Sequence, residues 1–103
     1  MFVALWEYEV KPGSEERFEK AYGPDGDWVR LFRNDSHYHE TRLVRDSLRR
    51  SVYLTIDFWA SRGAYEEFIA KHRAEYEEID AMGGELTVKE RRIGWFEMVE
   101  GSS

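Results

Sequence analysis

The sequence predicts an α+β protein in which four antiparallel strands and two helical regions follow the ferredoxin-like order β-α-β-β-α-β. Three observations lead to this prediction. Four segments are rich in β-branched and aromatic residues or alternate in polarity, as strands do. Two further regions place apolar residues at i, i+3 and i+4, as helices do. Clusters of Gly, Pro, Asn and Ser separate these segments and supply the turns.

The first half of the chain contains one strand and a divided helical region. Residues 2–10 (FVALWEYEV) have the composition of a strand, and Gly13 or Ser14 can cap the helix that follows. The sequence Gly-Pro-Asp-Gly at 23–26 breaks this helix, and apolar spacing resumes in an offset segment over 25–33. Such a break leaves backbone groups without helical partners beside aromatic side chains. It therefore predicts either the mouth of a pocket or a change of packing direction.

The second half contains two strands, a long helix and a last strand. The first two strands are predicted over 37–45 and 51–59, because both segments alternate in side-chain character. Ser61 is a good N-cap for a helix that runs to the glycine pair at 83–84, and the last strand is predicted over 89–99. The helix carries one stripe of mainly apolar residues, formed by Tyr65, Phe68, Ile69, His72, Tyr76, Ile79 and Met82.

The strand over 51–59 has two contrasting faces, and this contrast predicts a homodimer. One face is purely apolar and consists of Val52, Leu54, Ile56 and Phe58. The other mixes polar and aromatic side chains and consists of Tyr53, Thr55, Asp57 and Trp59. Two helices cover only one face of a sheet, and we expect them on the purely apolar face. The mixed face, extended by Trp6 and Tyr8, would be a large exposed patch on a monomer, so we expect a second copy to cover it.

The composition argues against several classes of function. The 103 residues suffice for one domain, expected over 1–100 with a flexible tail at 101–103. The net charge of −6 argues against nucleic-acid binding, because phosphates require a basic surface. Without cysteine there is no disulfide, thiolate metal site or cysteine nucleophile. No apolar run approaches the ~18 residues of a membrane span and no secretion signal opens the chain, so we expect a cytoplasmic protein without membrane contact.

Three short stretches and the order of the elements carry a resemblance to a known family. The stretches are KPGS at 11–14 leading to Phe18, YGPDGDW at 22–28, and TIDFWAS at 55–61 followed by Tyr65 and Phe68. Over nearly the whole chain, the sequence resembles the antibiotic biosynthesis monooxygenase family. Members of that family are dimeric α/β barrels built from ferredoxin-like protomers.

The resemblance implies a pocket between the sheet and the helices of each protomer. For the enzymes of the family it implies oxidation of a flat aromatic or phenolic substrate by O₂ without metal or flavin, so no cofactor is expected. A phenol or activated C–H group loses a proton, and the electron-rich carbanion reduces O₂ directly. The protein then needs to supply a dry aromatic pocket, a base and orientation. The alternative is a non-catalytic module of the same fold that binds a small hydrophobic molecule or serves as an accessory subunit.

The wider superfamily also includes haem-degrading enzymes, in which an Asn of the first strand and a helix His serve the haem. The first strand here reads ALWE at 4–7, without Asn. The resemblance therefore does not extend to a haem site.

His72 and Tyr76 are the candidate catalytic residues. His72 lies on the stripe of the long helix, so we expect its imidazole to face the sheet and to act as a base or acceptor near pH 7. The alternative is a core histidine satisfied by one hydrogen bond. Tyr76 lies one helical turn further and either joins His72 in a network or only packs. The expected substrate-binding rings are Trp28, Phe32, Phe68 and Trp59.

Three other polar residues, His37, His39 and Asp57, could form part of a site. His37 and His39 project from one face of a strand, but no third metal ligand lies near them in sequence, so we expect a solvated or interfacial pair and no metal. Asp57 needs a partner if it is buried, either Arg91 or a tyrosine hydroxyl. We expect its role to be structural.

Overall fold

The computed structural model describes residues 1–99 and 101 of the chain. The elements are β1 (Phe2–Val10), α1 (Glu15–Tyr22), α2 (Asp27–Phe32), β2 (Tyr38–Arg45), β3 (Val52–Trp59), α3 (Arg62–Lys71), α4 (Arg73–Gly84) and β4 (Thr87–Glu97). The strands form one antiparallel sheet in the order β2-β3-β1-β4. This is the predicted ferredoxin-like α+β fold, which is confirmed. The predicted tail at 101–103 lies outside the described residues, apart from Gly101.

The first helical region is divided where the sequence predicted a break. α1 ends before Gly23 and α2 begins after Gly26. A Cβ atom on Gly26 would lie 2.1 Å from the carbonyl oxygen of Ala21, so only glycine lets the chain turn this tightly between the two helices. The turn redirects α2 so that Val29 and Phe32 are buried.

The second helical region is also divided, which the sequence did not predict. Ser61 caps α3 as expected, since its Oγ accepts a hydrogen bond from the Ala64 amide at 3.1 Å. The helix is interrupted at His72, whose φ of −113° and ψ of 33° are not helical. The prediction of one continuous helix was therefore wrong. No glycine or proline stands at this point, so apolar periodicity alone gave no sign of the break.

The helices cover the face of the sheet opposite to the one predicted. The covered side, called here the helix face, is formed by Phe2, Ala4, Trp6, Tyr8, Tyr53, Thr55, Asp57 and Trp59. Trp59 is fully buried among rings of α2 and α3, and Tyr53 packs against Phe18 of α1. The expectation that the face of Val52, Leu54, Ile56 and Phe58 holds the helices was therefore wrong.

Both faces carry a carboxylate, Glu7 on one and Asp57 on the other, and aromatic packing favours the mixed face as the covered one. β1 and β3 pair so that Glu7 stands opposite Leu54, which places Glu7 on the same side as the aliphatic residues of β3. Burying that side under helices would bury the Glu7 carboxylate, which here stays near solvent and pairs with Arg91 at 3.3 Å. The helix face instead offers broad aromatic rings that interlock with the aromatic rings of the helices.

The other side of the sheet, called here the open face, carries aliphatic and aromatic side chains with no helix over them. It is formed by Val3, Leu5, Val44, Leu54, Ile56, Phe58 and Phe96. Leu54, Ile56 and Phe58 are only partly buried, and Phe96 is 47% exposed. A monomer thus presents a contiguous apolar surface on this side.

Candidate functional site

A narrow cavity lies between the helix face and helices α2 and α4. Its free volume is ≈ 20 Å³, enough for about one water molecule, so its walls lie close together as in a slot. Most of the lining is aromatic and consists of Trp6, Tyr8, Tyr22, Trp28, Phe32, Tyr65 and Tyr76.

The polar part of the lining is acidic and hydroxylic. It consists of Thr41, Thr55, Asp57, Asp80 and Glu90. Asp57 is 7% exposed and marks the floor on β3, whereas Asp80 and Glu90 are exposed and mark the mouth between α4 and β4. The cavity therefore has a carboxylate at each end and aromatic walls between them.

Asp57 is held by a relay of two hydroxyl groups. The Thr41 hydroxyl donates to Oδ1 of Asp57 at 2.6 Å, and the Tyr38 hydroxyl donates to Oγ1 of Thr41 at 2.7 Å. Among the residues that the structure describes, no hydrogen-bond donor reaches the second carboxylate oxygen, Oδ2. Because Asp57 lines the cavity, that oxygen is available to a bound molecule.

Burial raises the pKa of Asp57 to about 6, although the hydrogen bond from Thr41 lowers the pKa and offsets part of the rise. A carboxylate loses stability when it leaves water without a compensating cation, and the sequence-based partner Arg91 lies on the open face. Asp57 can therefore exchange a proton near neutral pH, as a general base must.

The tyrosine hydroxyls of the cavity stay protonated near neutral pH. Burial raises the pKa of Tyr22 and of Tyr76 to about 12, and it also raises the pKa of Tyr8 and of Tyr65 well above the usual value. These groups are therefore neutral hydrogen-bond donors and acceptors. Among the described residues, the indole N–H of Trp28 is buried with no hydrogen-bond partner of good geometry, which places a further donor beside the cavity.

Three of the sequence-predicted site residues line the cavity. They are Trp28, Phe32 and Tyr76, and the rings of Trp28 and Tyr76 meet edge to face at 4.9 Å. Phe68 and Trp59 are buried in the core beneath α3 and are not part of the cavity wall.

His72 also lies outside the cavity wall. Its ring stacks on Phe68 with 4.3 Å between centroids, and its Nδ1 contacts a carboxylate oxygen of Glu75 at 3.2 Å. Because the helix breaks at His72, its imidazole does not follow the stripe that Tyr76 continues. The structure thus brings Tyr76 to the cavity without His72.

The two remaining histidines lie at the surface. His37 precedes β2 and its Nδ1 contacts Asp35 at 2.9 Å, while His39 is exposed. Within residues 1–99 and 101, no three His, Asp or Glu side chains come together in a way that could hold a metal ion.

Sequence reasoning missed the relay behind Asp57. Tyr38 and Thr41 lie on β2, sixteen and more residues from Asp57, and only the pairing of Thr41 with Asp57 across the sheet brings them together. A signal was present, since a single aspartate in a strand of aromatic and aliphatic residues must find a polar partner.

Comparison of the sequence with protein families finds a family match over most of the chain. The sequence profile of the Antibiotic biosynthesis monooxygenase family matches residues 1–77. The chain belongs to this family. Family membership supports a monooxygenase-type function, and residues 1–77 include β1 to α3, Asp57 and its relay. No curated protein sequence matches this chain significantly.

Solved structures share the fold of this family member at low sequence identity. SnoaB of Streptomyces nogalater, described as a cofactor-independent oxygenase, is 16% identical with a TM-score of 0.72 over 94% of this chain and 91% of that chain. A Bordetella bronchiseptica protein, provisionally named an antibiotic biosynthesis monooxygenase, is 17% identical with a TM-score of 0.73 over 95% and 96%. A Nitrosomonas europaea protein with the same provisional name is 10% identical with a TM-score of 0.74 over 96% and 99%.

In the part of the chain that the structure describes, no helix is both long and apolar enough to cross a membrane.

Proposed function

We propose that this chain is a cofactor-independent monooxygenase that oxidises a flat aromatic or phenolic molecule with O₂. The observation that carries the proposal is Asp57, a buried carboxylate with a raised pKa at the floor of a narrow aromatic slot. A flat ring system that parts these close walls would place its acidic C–H or O–H group at the free Oδ2 oxygen. Family membership and the description of SnoaB as cofactor-independent support the same reaction type.

The proposed reaction converts a CH₂ group activated by a neighbouring phenol ring into a carbonyl: R₂CH₂ + O₂ → R₂C=O + H₂O. Asp57 removes one proton from the carbon, and the carbanion passes one electron to O₂. The resulting carbon radical and superoxide combine into a C–O bond, which gives a peroxide anion. Asp57 returns its proton to the peroxide, and loss of the second C–H proton with cleavage of the O–O bond gives the ketone and water.

The remaining cavity residues support this chemistry by position. Thr41 and Tyr38 fix the orientation of Asp57, so that Oδ2 points away from the relay. Tyr76 offers a neutral hydroxyl to a phenolic oxygen, and Trp28 and Phe32 supply ring surfaces. Close walls keep water away from the carbanion, which would otherwise be protonated before it meets O₂.

An oxygen electrode tests the proposal, with anthrone as the substrate because it has one activated CH₂ group. The expected result is one O₂ consumed per ketone formed. The rate should rise with pH through about 6, since the base must be deprotonated. Asp57→Asn should lower kcat by about 100-fold or more. Thr41→Val removes a hydrogen bond to the carboxylate and should shift the rise to higher pH.

His72→Ala is the matched control, since His72 lies outside the cavity wall. It should retain the wild-type rate. Full activity in Asp57→Asn, or loss of activity in His72→Ala alone, would contradict the assignment of the base. Ligand binding without O₂ uptake across a panel of aromatic substrates would favour the non-catalytic binding module instead.

We propose in addition that the chain works as a homodimer through the open face of its sheet. The observation behind this is the apolar surface around Leu54, Ile56 and Phe58. Salt-bridged side chains flank this surface, with Glu7 near Arg91 and Arg42 over the ring of Phe58. An apolar centre with a charged rim is the usual composition of such an interface. The resemblance to dimeric barrels points to the same face-to-face pairing.

A further inference from the structure

The charge of the cavity lining has one sign. Among the lining residues that the structure describes there are three carboxyl groups, Asp57, Asp80 and Glu90, and no Lys, Arg or His. Against the rise in pKa that burial causes, two basic residues outside the lining lower the pKa of cavity tyrosines in part: Arg92 lowers the pKa of Tyr65, and Arg73 lowers the pKa of Tyr76. The guanidinium of Arg92 is already placed over the ring of Trp95, at 4.7 Å from its centroid. The whole chain adds to the negative potential with a net charge of −6.

Four neighbouring rings of the cavity wall, Tyr8, Tyr22, Trp28 and Tyr76, line one part of the cavity, called here the aromatic box. Tyr8 and Tyr22 are inclined by 57°, Tyr22 and Trp28 by 48°, and Trp28 and Tyr76 by 67°. Each pair packs tilted or edge to face, at centroid distances of 4.9, 6.3 and 4.9 Å, and all four rings line the cavity. The faces of aromatic rings attract cations, and aromatic boxes are a common way to bind ammonium groups.

Within the part of the chain that the structure describes, no Lys, Arg or His forms a salt bridge with the carboxylates at the two ends of the cavity. Asp57 is 7% exposed, and its Oδ2 oxygen accepts no hydrogen bond among the described residues. At the mouth, burial and then the neighbouring Asp80 raise the pKa of Glu90, so the two groups repel each other when both are ionised. A positive charge placed between them would relieve this repulsion, whereas an anion would increase it.

We infer that the substrate of this site is a flat aromatic molecule that carries a positive charge, such as a protonated amine or a quaternary ammonium group. The inference rests on the proposed function and narrows its substrate class. The ring system lies in the slot with its reacting carbon at Asp57, and the ammonium group lies in the aromatic box between Asp80 and Glu90. The positive charge also compensates the negative charge that develops on the reacting carbon, which an acidic cavity would otherwise disfavour.

Equilibrium titration under nitrogen tests the inference with three probes of equal ring size. They are 2-naphthylmethylammonium, the neutral 2-naphthylmethanol and the anionic 2-naphthoate, measured by isothermal titration calorimetry at pH 8. The cation should bind at least about 10-fold more tightly than the alcohol, and the anion most weakly. Raising the salt concentration from 0.05 M to 0.5 M should markedly lower the affinity for the cation and leave the affinity for the alcohol nearly unchanged.

Two variants assign the effect to the mouth of the cavity. Asp80→Asn and Glu90→Gln should each lower the affinity for the cation by roughly 3- to 10-fold. Each should change the affinity for the alcohol by less than about twofold. Glu78→Gln is the matched control, because Glu78 is an exposed carboxylate of α4 that does not line the cavity. It should leave all three affinities unchanged.

The comparison of probes on the wild-type chain needs no variant and decides the inference. Equal affinities for cation and alcohol, tighter binding of the anion, or no binding by any probe would each overturn it. Because no O₂ is present, the result is independent of the reaction. If cation selectivity holds and no substrate consumes O₂, the proposed reaction is wrong and the cation site stands. If neutral anthrone is oxidised and the cation binds no better than the alcohol, the cation site is wrong and the proposed reaction stands.

Discussion

Replacing Asp57 by Asn should change the pH dependence of stability in a way that isolates this one carboxyl group. The pKa of Asp57 is about 6 in the folded protein, against 3.8 as its usual value, because burial destabilises the carboxylate. The folded state therefore holds the proton more tightly than the unfolded chain. The stability that this group contributes is complete below pH 3.8 and is lost as the pH rises through about 6.

The expected magnitude follows from these two pKa values. At pH 5 about nine-tenths of the folded molecules carry the proton on Asp57, compared with less than about a tenth of the unfolded ones. Between pH 8 and pH 5, the free energy of unfolding of the wild type should therefore rise by roughly 1–2 kcal/mol relative to that of Asp57→Asn, whose amide does not titrate. Other shifted groups, such as Glu90, are present in both proteins, so their contributions cancel.

Urea unfolding at pH 5, 6, 7 and 8 measures this difference directly, with the slope checked for constancy between the two proteins. Asp25→Asn is the matched control for the change in net charge, because Asp25 lies exposed in the turn before α2. Its curve should run parallel to that of the wild type. Parallel curves for the wild type and Asp57→Asn would refute the raised pKa, and the choice of Asp57 as the base would lose its support.

Three further predictions concern packing, assembly and capping. Gly83→Ala should lower the free energy of unfolding by roughly 1–3 kcal/mol in urea titrations, because a Cβ there would lie 1.9 Å from the Tyr22 hydroxyl. Gly84→Ala should raise the free energy of unfolding by roughly 0.5–1 kcal/mol, because a Cβ there would meet no atom within 4 Å. The opposite order of the two variants would contradict the close contact at Gly83. Ile56→Glu on the open face should reduce the mass measured by light scattering from twice 12.3 kDa to 12.3 kDa without unfolding the chain, and an unchanged dimer would exclude this interface. Ser61→Ala should cost about 1 kcal/mol of stability by loss of the cap on α3, and an unchanged melting temperature would show that the cap contributes nothing.

The sequence by itself determined the strands, the order of elements and the break between α1 and α2. These depend on local properties: β-branched and aromatic composition for β1 and β3, and the Gly-Pro-Asp-Gly turn that cannot continue a helix. Three of the residues that the sequence offered as site residues, Trp28, Phe32 and Tyr76, line the cavity, because their spacing places them on the inner sides of their helices; their roles stay a prediction.

Only the tertiary structure decided which face of the sheet the helices cover. Local hydrophobicity favoured the aliphatic residues of β3, but each face carries a carboxylate, Glu7 on one and Asp57 on the other, and the broad rings of the mixed face interlock with the rings of the helices. The same choice turned Asp57 inward and brought Thr41 of β2 to it across the sheet. The kink at His72 likewise has no sequence signal and separates that residue from the cavity. The chemistry of the site thus depends on contacts between strands and helices far apart in the chain, which no single segment encodes.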